Sequence, residues 1–249
     1  MSNERLELQC KLLNETVGKR NLYDGYNCEK CKNKGQIFYI RGQEVVARLC
    51  SCTSTRKNIA LVNKSGLKEL LEKKRFDNFL ETENWQRAIK ERAKLFIDNG
   101  EYKTFFIGGQ CGSGKTHVCV AMCGELLKKG APTLYMLWTR DARALKAVSM
   151  EREFYERIQE YINVRVLYID DFLKVMKGTS PTPADMNIAF EILNSRLLDP
   201  EKITVISSEF TIDELLKIDE GTASRICENA GPFVINIGKC VEKNRRMKG

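Results

Sequence analysis

In the second half of the chain, apolar residues come in short continuous runs, and between the runs they recur every three or four positions. The runs are KTFFIGG (103–109), TLYMLW (133–138), VRVLYID (164–170), ITVISS (203–208) and FVINIG (233–238). Runs this short, apolar on both sides and rich in Val and Ile, predict strands buried on both faces. The stretches between them predict helices. KTHVCVAMCGELLKKG (115–130) is closed by Gly130. DARALKAVSMEREFYERIQEYI (141–162) has helical spacing. ADMNIAFEILNSRLLD (184–199) has Pro181 and Pro183 before it and Pro200 after it, and a further helix starts at IDELL (212–216). Strand and helix in alternation predict an α/β fold, a three-layer sandwich around a mostly parallel sheet.

The first part of the chain has a different pattern. Residues 1–27 predict a short helix and a polar lead-in. QIFYI and VVARL flank RGQE, which predicts a β-hairpin inside residues 28–52. A basic, helical connector follows as far as Arg75, and a domain boundary is expected there, dividing the chain into 1–75 and 76–249. There is no internal repeat and no low-complexity tract.

Charge sharpens this division. Residues 1–75 carry 16 Lys and Arg against 8 Asp and Glu, while residues 76–249 carry 25 of each. A basic segment ahead of a neutral core suggests an anionic partner such as nucleic acid; a solvated lysine-rich surface is the plainer alternative. No run approaches the 18 apolar residues of a membrane span, and the polar N-terminus lacks the apolar stretch of a secretory signal. A cytoplasmic, membrane-free protein is expected. Its ten cysteines then read as reduced thiols or metal ligands rather than disulfides.

Two motifs carry chemistry. Gly109-Gln110-Cys111-Gly112-Ser113-Gly114-Lys115-Thr116 fits GxxxxGK[ST] between a predicted strand and a predicted helix, the context that such a phosphate loop needs. Its glycines let backbone N–H groups turn around a phosphate, and the helix N-terminus adds partial positive charge. Lys115 is placed for the β- and γ-phosphates, and Thr116 for Mg²⁺. Further on, an apolar strand ends in Asp170-Asp171. Asp170 is expected to hold Mg²⁺ and Asp171 to act as general base or to orient water. Asp is one methylene shorter than the Glu often found at this second position, so slow intrinsic hydrolysis is expected. His117, the only histidine, reads as a helix residue beside the loop rather than a catalytic group, and Cys119 and Cys123 as buried thiols. Another strand ends in Ser207-Ser208-Glu209, where a polar group either senses the γ-phosphate or caps the next helix.

Cys28 and Cys31 form CxxC, and Cys50 and Cys52 form CxC. The predicted hairpin brings the two pairs together as a Cys₄ site suited to Zn²⁺, with an iron–sulfur cluster as the alternative. Four protein ligands leave no open position, so the site reads as structural.

GGQCGSGKTH, VLYIDDFLKV, PTPADMNIAFEILNSR, ITVISSEFTIDELL and GTASRI, in that order, resemble the DnaC-type replicative helicase loaders of the AAA+ superfamily, especially phage and Firmicute DnaC/DnaI-like proteins. The IstB-type transposition helpers are close relatives. The resemblance covers residues 76–249, and the cysteine stretch looks like the zinc-binding N-terminal region of DnaI-like loaders. It implies an ATPase that uses ATP and Mg²⁺, with Gly109–Thr116 and His117 around the nucleotide and Lys115, Asp170 and Asp171 in catalysis. It also implies Ser208 or Glu209 at the sensor position, where the family often has an Asn that this chain lacks. Arg225 matches the arginine finger that reaches a neighbouring subunit's γ-phosphate, so a homo-oligomer is implied when ATP is bound. Arg245 or Arg246 falls near the family's terminal arginine. The implied partners are a hexameric replicative helicase and single-stranded DNA, the latter through Trp138, Arg140, Arg143, Lys146 and Arg152; Asp141, Glu151 and Glu153 are interleaved, and a solvated amphipathic helix is the equal alternative for this stretch. Other readings are a transposition-helper ATPase, which would usually lack the cysteine stretch, a P-loop small-molecule kinase, and a zinc-dependent nucleic-acid adaptor in which ATP is structural.

Overall fold

The computed structural model describes residues 3–176 and 178–247. They form two compact units, one ending at Leu61 and the other starting at Val62. In the first, helix α1 (Asn3–Glu15) and the single turn α2 (Asn21–Asp24) precede an antiparallel hairpin of β1 (Gln36–Arg41) and β2 (Glu44–Leu49). The alternating residues thus form the predicted ribbon, turning at Gly42, whose φ is +63°. Asn14 stands in for a third strand: its side-chain oxygen accepts from the Phe38 N–H at 3.0 Å, and its amide donates to the Phe38 carbonyl at 2.8 Å. Helix α3 (Cys52–Ser65) runs out of the hairpin and carries the unit boundary within it.

In the second unit, α4 (Leu67–Lys73) and α5 (Asn84–Asp98) come before the sheet. Strand β3 (Thr104–Gly109) leads into α6 (Lys115–Lys128), β4 (Thr133–Leu137) into α7 (Trp138–Ala147) and α8 (Arg152–Asn163). Strand β5 (Val166–Asp170) leads into α9 (Pro183–Leu197), and β6 (Ile203–Ser208) into α10 (Ile212–Ile218) and α11 (Glu220–Ala230). Strand β7 (Val234–Ile237) closes the sheet. All neighbours are parallel, in the order β4-β5-β6-β3-β7. Strands β3 and β5 are buried along their whole length, as their continuous apolar sequence requires.

Three differences from the sequence expectation have physical causes. The break between units falls between Leu61 and Val62, not near Arg75, because Leu67 of α4 is fully buried in the core of the second unit beside Val118 and Met122. Trp138 begins α7 instead of ending the strand before it. The long helical stretch is two helices, interrupted between Ala147 and Arg152. The helix after the paired acids, by contrast, starts where the prolines place it. Pro183 stands in its first turn, and Thr182 and Asp185 form a reciprocal capping box.

Candidate nucleotide site and candidate metal centre

Strands β3, β5 and β6 are adjacent and end on the same carboxyl edge of the sheet, the place where α/β proteins bind ligands. The phosphate loop leaves β3 there. Gly109, Gly112 and Gly114 all have positive φ, at +108°, +72° and +94°. Lys115 is 7% exposed, and its ammonium donates to the carbonyls of Gly109 at 2.8 Å and Gln110 at 2.7 Å. Burial pushes its pKa below the ordinary lysine value, against the pull of Cys111, Glu209, Asp171 and Asp170. The Ser113 hydroxyl donates to the Gln110 carbonyl at 2.8 Å and fixes the bend.

The two motifs meet at Thr116, whose hydroxyl donates to Asp170 Oδ1 at 3.0 Å. Asp170 is buried and also accepts from Tyr135 Oη at 3.1 Å and from Ser207 Oγ. Thr116 and Asp170 thus present hydroxyl and carboxylate oxygens side by side, the hard donor set that Mg²⁺ takes. The Asp171 side chain is not among these partners and pairs with Lys174 instead. The residue adopts a left-handed backbone, φ +55°, as does Leu173 at +57°. Between them Phe172 is fully buried and fastened to β6: its N–H donates to the Ser207 carbonyl at 2.8 Å, and its carbonyl accepts from Ser208 Oγ at 2.8 Å. Ser208, with a second bond from the Phe210 N–H at 3.1 Å, is thereby committed to backbone. Of the two expected sensor residues it is Glu209 that faces the site, its carboxylate beside the Cys111 thiol of the loop.

Lys174, which the sequence reading passed over, joins these groups. Its ammonium lies 3.1 Å from Asp171 Oδ2 and 2.9 Å from Glu209 Oε1. Burial works to raise the Glu209 pKa, but Lys174, together with Cys111 and Lys115, outweighs it and holds the carboxyl below its ordinary range.

The other expected residues fall in distinct places. Gln110 and Cys111 are held by the C-terminal segment. The Cys240 N–H donates to Gln110 Oε1 at 2.9 Å, the Arg245 N–H to the Gly112 carbonyl at 3.1 Å, and Arg246 Nη1 lies 3.7 Å from Cys111 Sγ. Both terminal arginines therefore lie against the loop, which their loose spacing in sequence did not indicate. His117 binds the Arg75 carbonyl at 2.9 Å and Asn78 Oδ1 at 3.0 Å and stands edge-on to Phe79 at 5.2 Å. It fastens residues 75–79 to α6, the role of a helix residue beside the loop. Cys119 and Cys123 are fully buried, and burial pushes both thiols up. Arg225 is exposed on α11, hydrogen-bonded to Asn194 and 5.2 Å over the Phe190 ring. Trp138 is 2% exposed and packs edge-on against Phe172 at 5.1 Å, so it cannot stack on a base. Arg140 is paired with Asp141, Lys146 with Asp185 and Arg152 with Glu156.

The cysteines form a separate centre in the first unit. The sulfurs of Cys28, Cys31, Cys50 and Cys52 all lie within 4.8 Å of one another, and all four residues are buried. Cys28 and Cys50 are 3.8 Å apart at sulfur, and Cys31 and Cys52 3.5 Å. A tetrahedron with Zn–S bonds of about 2.3 Å has edges of about 3.8 Å, so the set fits zinc. Lys32 and Asn33 take left-handed conformations, φ +49° and +66°, at the knuckle. The Gly35 N–H donates to Cys31 Sγ at 3.2 Å. Burial raises the Cys31 pKa, but this bond and the neighbouring thiols outweigh it and bring it down to about 7. Arg56, 7% exposed, binds Asp24 and, at 3.0 Å, Asn33 Oδ1, and lies close enough to Cys52 to act on it electrostatically. It sets a cation behind what would be a doubly negative Zn(Cys)₄ centre. Nothing in the spacing of the cysteines pointed to Arg56.

Comparison with known proteins agrees with this geometry. The family model of the IstB-like ATP binding protein matches residues 27–219. Phage-like element PBSX protein XkdC of Bacillus subtilis is 30% identical over 237 residues, covering 90% of this chain and 87% of the relative. The replicative helicase loader DnaC of Escherichia coli is 28% identical over 114 residues, 44% of this chain and 46% of the loader. Among solved structures, DnaI superposes with a TM-score of 0.55 at 21% identity, over 69% of this chain and 93% of DnaI; this likeness bears on the fold.

Proposed function

Because the chain belongs to the family of IstB-like ATP-binding proteins, we propose that it hydrolyses ATP to ADP and phosphate while loading a hexameric replicative helicase onto single-stranded DNA. The nucleotide part of this reading is carried by the Thr116–Asp170 hydrogen bond, which joins the phosphate loop to the acidic strand end. Mg²⁺ held there would offset charge on the β- and γ-phosphates. Around it the loop N–H groups and Lys115 hold phosphate oxygens, and Asp171 orients a water and accepts its proton. Glu209 supplies the polar contact at the end of β6. Arg225 lies exposed on α11, where it is able to complete the site of a second copy. Hydrolysis would then depend on assembly.

The loading part is supported by the similarity to the helicase loader DnaC and by the basic unit that precedes the ATPase fold. Zinc on the four cysteines would keep that unit folded as the arm that grips helicase or DNA. Phosphate release and binding of a fluorescent ATP analogue test the first part. Lys115→Ala should abolish both, and Asp171→Asn should remove release while keeping binding. Affinity capture from the host with and without ATP tests the second. Recovery of a hexameric helicase is expected. Recovery of a transposase instead would replace loading by transposition help, and full capture of the helicase by a hydrolysis-dead variant, with release unimpaired, would reduce ATP to a structural ligand.

A further inference from the structure

The acid best placed to work on water is not free. Asp171 leaves β5 in a left-handed conformation and meets, at 3.1 Å, an ammonium three residues further along. The same ammonium meets Glu209, from the end of the adjacent strand, at 2.9 Å. One cation is shared by two carboxylates from two strands. The three side chains are about equally accessible, with Lys174 at 33%, Asp171 at 30% and Glu209 at 34%. The arrangement is held from below: Phe172 is fully buried and bonded to β6 through both its N–H and its carbonyl, and Leu173 repeats the left-handed turn. That backbone aims Asp171 and Lys174 at the same side.

We propose that Lys174 restrains Asp171, so that water is activated only when the ammonium moves off the carboxylate. This rests on the ATPase reading given above and adds a positioning residue to it. A carboxylate that orients water must turn a lone pair towards it, and the bond from Lys174 to Oδ2 fixes which way the Asp171 carboxylate faces. The restraint is partial, since a partly exposed ion pair holds only loosely. Glu209 draws the ammonium from the other side and shares its charge. The assembly behaves as a brake whose strength depends on the placement of Lys174. It would slow hydrolysis independently of the shortness of Asp.

The test compares the unaltered chain with Lys174→Met, Lys174→Arg, Lys174→Met/Asp171→Asn and Lys115→Ala, measuring steady-state phosphate release and binding of a fluorescent ATP analogue over a range of protein concentrations. Lys174→Met should raise kcat about five- to tenfold, less than the roughly 10²–10⁴-fold of a complete general base. KM and analogue affinity should stay within about twofold. The gain should vanish in the double variant, and Lys174→Arg should stay near the unaltered chain. An unchanged or lower kcat in Lys174→Met, with hydrolysis measurable in the unaltered chain, overturns the restraint. A gain that survives Asp171→Asn, or a proportionate change in KM and thermal midpoint, overturns it in favour of a merely structural lysine. If none of these proteins exceeds the Lys115→Ala background, the ATPase reading itself falls, and the restraint with it.

Discussion

Arg196 shows how a residue inside a legible motif can serve the fold alone. It is 1% exposed, and its hydrogen bonds run to backbone carbonyls and a hydroxyl rather than to a carboxylate. Its guanidinium donates instead to the carbonyls of Tyr161, Ile162, Val164, Arg165 and Ile203 and to the Thr204 hydroxyl. It ties the end of α8 to the starts of β5 and β6. Burial lowers its pKa to about 9, which still leaves a cation at neutral pH. Removing it would orphan several buried acceptors at once, and each unsatisfied buried group costs roughly 1–3 kcal/mol. Arg196→Met should therefore lower unfolding free energy by about 3 kcal/mol or more. Urea denaturation measures this, and a loss below about 1 kcal/mol would mean that water replaces the guanidinium. Lys174 is the opposite case, a residue whose neighbours give it a bearing on chemistry. Neither role was readable from sequence, since both depend on what two separate strands bring together.

Among the elements, those with a strong local signal were the legible ones. The buried strands, the proline-led start of α9, the hairpin and the phosphate loop all have sequence periods or turn chemistry of their own. What stayed hidden was set by tertiary contact. The C-terminal segment around Arg245 lies on the loop through bonds across more than half the chain, and the end of β4 yields to α7 because Trp138 finds its place against Phe172. The loop glycines make this contact testable. A Cβ on Gly109 would stand 2.0 Å from the Ile237 carbonyl oxygen, backbone of the neighbouring strand, and φ there is +108°. A Cβ on Gly112 would meet the Asn244 side chain at 2.1 Å, which can swing away. Gly109→Ala should thus separate β3 from β7, costing about 2–3 kcal/mol of stability as well as nucleotide binding. Gly112→Ala should keep the thermal midpoint within a few degrees yet weaken nucleotide binding about tenfold. Thermal melts and analogue titration on both variants check the contrast, and equal destabilisation would show that the C-terminal segment is as unyielding as the strand.

At the scale of the whole molecule, the two units differ in how much apolar core they bury. The second has a continuous apolar core of strands and helices, from Phe105 and Ile107 to Val118 and Met122. The first is small, and among the described residues its buried apolar ones are Leu6 and the four cysteines. A unit of about 60 residues is marginal on core burial alone, and a structural metal is a common supplement. Zinc binding to such a site contributes folding free energy directly, because the unfolded chain does not hold the ligands together. Hence the dependence on metal should be confined to one unit. The protein as isolated should contain about one zinc per chain by elemental analysis, and Cys31→Ser should lose it. With a strong chelator, limited proteolysis should cut before Leu61 while leaving the remainder resistant, and ATP-analogue affinity should change less than about twofold. Helicase capture should fail under the same treatment. Iron with a visible absorbance in place of zinc would reassign the centre to a cluster without altering this division. Loss of nucleotide binding before loss of capture would refute the division itself, because it would mean that the fold of the second unit depends on metal held by the first.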